Sequence, residues 1–84
     1  YAVALKWDRG SGRAPVCVAK GTDMMAERIR DIAGEAGVPI RSDPPTARAL
    51  YASIAVGEEI TTEHYRAVAA AIRFAESLRR RART

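Results

Sequence analysis

Few residues in this chain have the chemistry to act on a substrate. Its 84 residues hold one Cys, Cys17, and one His, His64. A single Cys excludes an internal disulfide framework and a Cys-based zinc cluster, and a lone imidazole offers little to a metal site or a catalytic triad. Cys17 stands in the apolar run 16–19, where it is expected to pack as a small hydrophobe without an activating partner. His64 falls in the first turn of the last helical pattern. It is expected on the surface, without the nucleophile or orienting group that catalysis requires. Lys20 lies just before a helix start, a place where anions bind; a solvated ammonium is the expected outcome. Gly10-Ser11-Gly12 lacks the third glycine of a dinucleotide fingerprint and leads into a strand pattern rather than a helix. The sequence contains no Walker motif, no HExxH and no paired Cys ligands. These residues point to a non-enzymatic domain with no cofactor and no metal.

The elements that position these residues follow from periodicity. Tyr1, Val3, Leu5 and Trp7 alternate with Ala2, Ala4 and Lys6 as in a strand. A polar loop at 8–13 follows. Ala14-Pro15 then opens a second strand, apolar on both faces and expected to be covered. Thr22 and Asp23 suit the start of a helix whose stripe, Met25, Ile29, Ile32, Ala33 and Ala36, reads as core. Gly37 and Pro39 end it. Val38-Pro39-Ile40 fits a short third strand. Asp43 with Pro44 opens a second helix carrying Ala47, Leu50, Tyr51 and Ile54 inward, and residues 57–59 mark a connection. Thr61 suits the cap of the last helix, with Ile60 and Tyr65 as a hydrophobic staple. Tyr65, Val68, Ala69 and Ile72 share one face of that helix; Ala67, Ala71, Phe74 and Leu78 cluster nearly opposite. That is more apolar surface than one small core needs, so part is expected to bind a partner or a missing piece of the protein. The expected fold is α/β, a small mixed β-sheet of three strands packed with about three helices.

Charge divides the chain into a body, 1–78, and a basic tail, 79–84. The formal net charge is +4, and the last six residues hold four Arg: Arg79, Arg80, Arg81 and Arg83. The body alone is neutral, which argues against a nucleic-acid-binding domain. The tail fits either a helix C-terminus or a contact with anionic lipid or an acidic partner. The chain also opens in mid-strand, so a longer parent protein is expected.

Several motifs in order carry a resemblance. They are the opening strand 1–8, Ala14-Pro15, the segment 18–21, Arg28-Ile29-Arg30, Gly37-Val38-Pro39, the segment 44–51, 56–60 and 65–69. The chain thus resembles, from residue 1 to 78, the cytoplasmic C-terminal domain of the FlhB/YscU/SpaS family, the substrate-specificity switch proteins of flagellar and virulence type III export gates. The opening strand is more similar to the flagellar branch. The resemblance implies an Asn-Pro-Thr-His motif just before Tyr1, where the chain cuts itself between Asn and Pro. None of those residues is in this sequence. It implies a further strand from the N-terminal cleavage fragment, completing the sheet. It also implies docking of rod- and hook-type export subunits, a switch to filament-type subunits, and contact with other gate proteins and a hook-length control protein. The place would be the cytoplasmic face of the bacterial inner membrane, within a multi-pass protein. The substrate-docking positions it carries over are Ala14, Pro15, Ala69 and Ile72. Ala14 and Pro15 are expected to dock substrate, whereas Ile72 and Ala69 fit either docking or the core. A free-standing homologue without a cleavage motif is the alternative, separable by the reading frame before Tyr1.

Overall fold

The computed structural model describes residues 1–82. Arg83 of the basic tail lies outside them, as does the side chain of Arg79. Two strands, β1 (Ala2–Lys6) and β2 (Val16–Gly21), pair antiparallel. Three helices follow: α1 (Asp23–Glu35), α2 (Pro44–Ser53) and α3 (Tyr65–Ala82). The α/β class and the three helices agree with expectation; the sheet departs from it. Val38-Pro39-Ile40 is not a strand. Instead the stretch 57–60 runs antiparallel to the start of β2 through one bridge, Val16 to Glu59. The Cys17 N–H donates to the Glu58 carbonyl at 2.9 Å, and the Ile60 N–H to the Pro15 carbonyl at 2.9 Å. Pro39 has no N–H to offer a ladder, while 57–60 presents a donor where Pro15, itself without an N–H, presents only its carbonyl.

The register explains the faces. Ala4 pairs with Ala19 but Leu5 pairs with Cys17, so Val18 is the extra residue of a bulge. Cys17 is thereby turned fully inside while Val18 is 49% exposed, so β2 is not covered on both faces as expected. The loop between the strands is locally closed. Asp8 caps a 3₁₀ turn at Arg9–Ser11 by accepting from the Gly10 N–H, and Gly12 takes the left-handed φ of 69° that an unbranched backbone permits.

Helix ends follow the sequence at α1 and α2. The Val38 N–H reaches back to the Ala33 carbonyl around Gly37, which closes α1. Asp43 accepts from the Thr46 N–H and hydroxyl with Pro44 at the first position of α2. At the third helix the chain first makes a 3₁₀ turn, Thr62–His64. Thr61 therefore precedes that turn rather than α3, and its side chain makes no cap bond. The expected staple is not built: Ile60 is buried but Tyr65 is 46% exposed.

The core is small. Cys17, Leu50, Ile54, Ile60 and Val68 form it, with Val3, Leu5, Ala14 and Ile72 packed against it half-buried. α1 faces the sheet through Ala26, and Gly21 lies so close that a Cβ there would meet the Met25 Cβ at 2.6 Å. The wider α1 stripe is not core: Met25 and Ile32 are more than half exposed, and Ala36 is exposed. A small residue at 26 lets the helix settle on the sheet with a narrow contact, which leaves the longer side chains outside it.

Candidate functional site

The four positions that the resemblance marks for docking converge. Ala14 and Pro15 enter β2, and Ala69 and Ile72 stand one turn apart on α3; all four line one shallow groove of about 480 Å³. Pro15 is buried and forms part of its floor, while Ala14, Ala69 and Ile72 are half-buried. Ile72 and Ala14 also pack on the core. Ile72 thus packs on the core and also lines the groove. Val68 and Ile60 lie beneath, and Trp7 and Tyr65 form aromatic walls. Tyr65 was expected to be inward. His64 ends the 3₁₀ turn and is buried, and Tyr65 opens α3 on the face of Ala69 and Ile72, at the groove.

The groove mouth is fixed by the segment that pairs with β2. The Ile60 N–H holds the Pro15 carbonyl. On the outside, Arg13 Nε donates to Glu59 Oε1 at 2.8 Å. Both side chains are well exposed, so this pair contributes under about 1 kcal/mol to stability; its effect is to tie the 8–13 loop to 57–60. The floor offers no reactive group. Cys17 is fully buried, and desolvation pushes its thiol above the ordinary 9.0, against the smaller lowering effects of the Ala19 carbonyl and Lys20. A thiol held neutral in apolar surroundings packs rather than attacks.

Two polar residues sit differently from expectation. His64 is buried, not exposed; its Nε2 makes no hydrogen bond and lies 3.5 Å from Glu63 Oε1. Neither groove reaches it. Lys20 is not a solvated cation. Its Nζ donates to the Tyr51 carbonyl at 3.0 Å and lies 4.8 Å from the Tyr51 ring centroid. The Tyr1 and Tyr51 rings meet at 5.2 Å. This cluster satisfies a carbonyl near the end of α2 and fastens α2 to both strands. Among the described residues, no three His, Cys, Asp or Glu gather as a metal site, and no helix is long and apolar enough to cross a membrane.

A second, larger groove of about 1030 Å³ opens beside β1. It is lined by β1, by Val38 and Ile40, and by the other face of α3 at Ala67, Ala71 and Phe74. Val38 and Ile40 are nearly half exposed, and Phe74 is 39% exposed. The surplus apolar face of α3 noted in the sequence is therefore an open wall, not core. β1 pairs only with β2 among the described residues, so its outer edge is free along this groove.

Comparison with known proteins agrees with this architecture. The model of the family described as "FlhB HrpN YscU SpaS Family" matches residues 1–75. The flagellar biosynthetic protein FlhB of Escherichia coli strain K12 is 42% identical over 80 residues, which cover 95% of this chain and 21% of that protein. The chain thus spans about a fifth of the length of the curated relatives it matches. Among solved structures, a point variant of the EscU/SpaS C-terminal domain superposes with a TM-score of 0.85 at 32% identity, over 90% of this chain and 94% of that one. The PscU C-terminal domain gives 0.82 at 34% identity, over 87% and 92%. With the strand pair, the three helices and nearly the whole sequence matched, the chain belongs to the FlhB, HrpN, YscU and SpaS family of export proteins.

Proposed function

We propose that this chain is the substrate-docking part of a flagellar type III export gate. The observation that carries the reading is the convergence of Ala14, Pro15, Ala69 and Ile72 on one groove from two elements more than fifty residues apart in sequence. An apolar trough with two aromatic walls suits a short hydrophobic segment of a rod- or hook-type subunit. Site-directed cross-linking from within the groove tests it. In the parent protein the domain sits at the cytoplasmic face of the inner membrane, among other gate proteins and a hook-length control protein, and changes preference to filament-type subunits after self-cleavage. No catalysis on an external substrate is part of the reading, and nucleic acid is not a partner.

The N-terminal cleavage fragment is the proposed occupant of the larger groove. The free edge of β1 offers unpaired backbone groups beside an apolar wall, the setting for an added strand. Mass spectrometry of the native protein is expected to show a fragment beginning Pro-Thr-His immediately before Tyr1. A single uncut polypeptide would contradict self-cleavage. The basic end of the chain, Arg79, Arg80, Arg81 and Arg83, is proposed to touch anionic lipid. Deleting residues 79–84 is expected to lower retention on phosphatidylglycerol vesicles several-fold at low salt; equal retention would remove the lipid from the account.

A further inference from the structure

An apolar groove leaves the charged side of α3 without a role. Arg66, Arg73 and Arg80 recur every seven residues. On an α-helix that spacing sets them about 10.5 Å apart along the axis, drifting by about 20° per step. All three are exposed, and none makes an ion pair or side-chain hydrogen bond among the described residues. Arg73 borders the docking groove, and Arg80 borders the larger one. Against them on α3 stands Glu76, at the rim of both grooves, and Asp43 also lines the larger one. The tail supplies most of the excess charge, and α3 before it adds Arg66 and Arg73. Residues 65–84 hold six Arg and one Glu, whereas residues 1–64 hold eight cations and nine anions.

We propose that the docking groove receives an acidic amphipathic helix laid along α3. Its apolar stripe fills the trough at Ala14, Pro15, Ala69 and Ile72, and carboxylates about seven residues apart meet Arg66 and Arg73 of the arginine stripe. This rests on the docking reading and adds the chemistry of the occupant. Two helices crossing at about 20° keep positions seven apart in step over several turns. A guanidinium matches a carboxylate in a two-pronged geometry that a bare ammonium does not reproduce. A line of charges beside a concave trough fits a rod-shaped partner; a flat bilayer cannot enter the trough. Most of the affinity comes from the apolar side chains, and the charges set orientation and selectivity.

Trp7 is the chain's single Trp and walls the groove, so its emission reports occupancy. The probe is a synthetic helical peptide of about five turns with a leucine stripe and Glu at every seventh position, compared with a counterpart carrying Lys there. The full chain is expected to bind the Glu peptide about tenfold more tightly than the Lys peptide at low salt, and the gap is expected to close near ~1 M salt. Arg73→Glu is expected to remove most of the preference, while Ala14→Glu weakens both peptides. Equal affinity for the two peptides, or an unchanged preference in Arg73→Glu, would overturn the acidic helix and leave docking standing if Ala14→Glu still blocks. Undiminished binding of both peptides by Ala14→Glu would contradict docking itself. Binding of phosphatidylglycerol vesicles but of neither peptide, lost in Arg73→Glu, would overturn the proposal and assign the stripe to lipid.

Discussion

Ala14→Glu is expected to weaken binding of a rod- or hook-type export subunit at least about tenfold, close to 1.4 kcal/mol, while the domain stays folded. The position explains both halves. Ala14 is half-buried at the mouth of the groove, immediately before β2. A glutamate there has a route to water in the free protein, so the circular dichroism spectrum should not change. Once a hydrophobic segment covers the groove, that carboxylate must be desolvated without a partner or must hold the segment away. Both residues pack against the core, but Ile72→Asp is the poorer test because it replaces a large apolar side chain with a charge. Loss of binding there would mix docking with unfolding. Calorimetric titration of Ala14→Glu with unchanged affinity would mean that the groove is not where the subunit binds.

Leu50→Ala is expected to cost about 3 kcal/mol of stability. Leu50 is 4% exposed and lies at the centre of the small core with Cys17, Ile54, Ile60 and Val68. Truncation removes the apolar contact between α2 and the strands, and little surrounds it that can collapse into the space. In a domain of this size such a loss is a large share of the total and lowers the thermal midpoint by about 15 °C. A shift of only a few degrees would show that α2 is held by its surface fastening, Lys20 on the Tyr51 carbonyl, rather than by the core.

Much of this was legible in the sequence because local chemistry and tertiary need coincide there. Asp43 with Pro44 fixes the start of α2, and Gly37 fixes the end of α1, by backbone geometry alone. The four proposed docking positions come from the family resemblance, and the fold brings them together on one groove. The misreadings share a cause, which is that pattern does not specify partners. Val38-Pro39-Ile40 has strand composition, yet the ladder to β2 is made by residues 57–60, whose Gly and two Glu look like a connection. The α1 stripe has core periodicity, but Gly21 and Ala26 bring the helix down on a narrow contact and leave Met25 and Ile32 outside. His64 ends a 3₁₀ turn rather than starting the last helix and is buried, while Tyr65, on the face of Ala69 and Ile72, is half exposed at the groove rather than in the core. Tyr65 does share a helix face with Ala69 and Ile72, and that shared face was the available signal.

The trough between the β2 entrance and α3 is the proposed docking place for export substrates. The most direct test places a photo-crosslinking amino acid at Ala69 in the native protein, in cells assembling flagella, and identifies the attached partner by mass spectrometry. Ala69 is half-buried in the groove and is not among the core residues or those packed against them, so a label there is compatible with the fold. Rod- or hook-type subunits are expected to be captured, and the capture is expected to disappear in Ala14→Glu. Capture of only the N-terminal fragment of the same protein would contradict the proposal, because the groove would then be an internal seam and not a docking site.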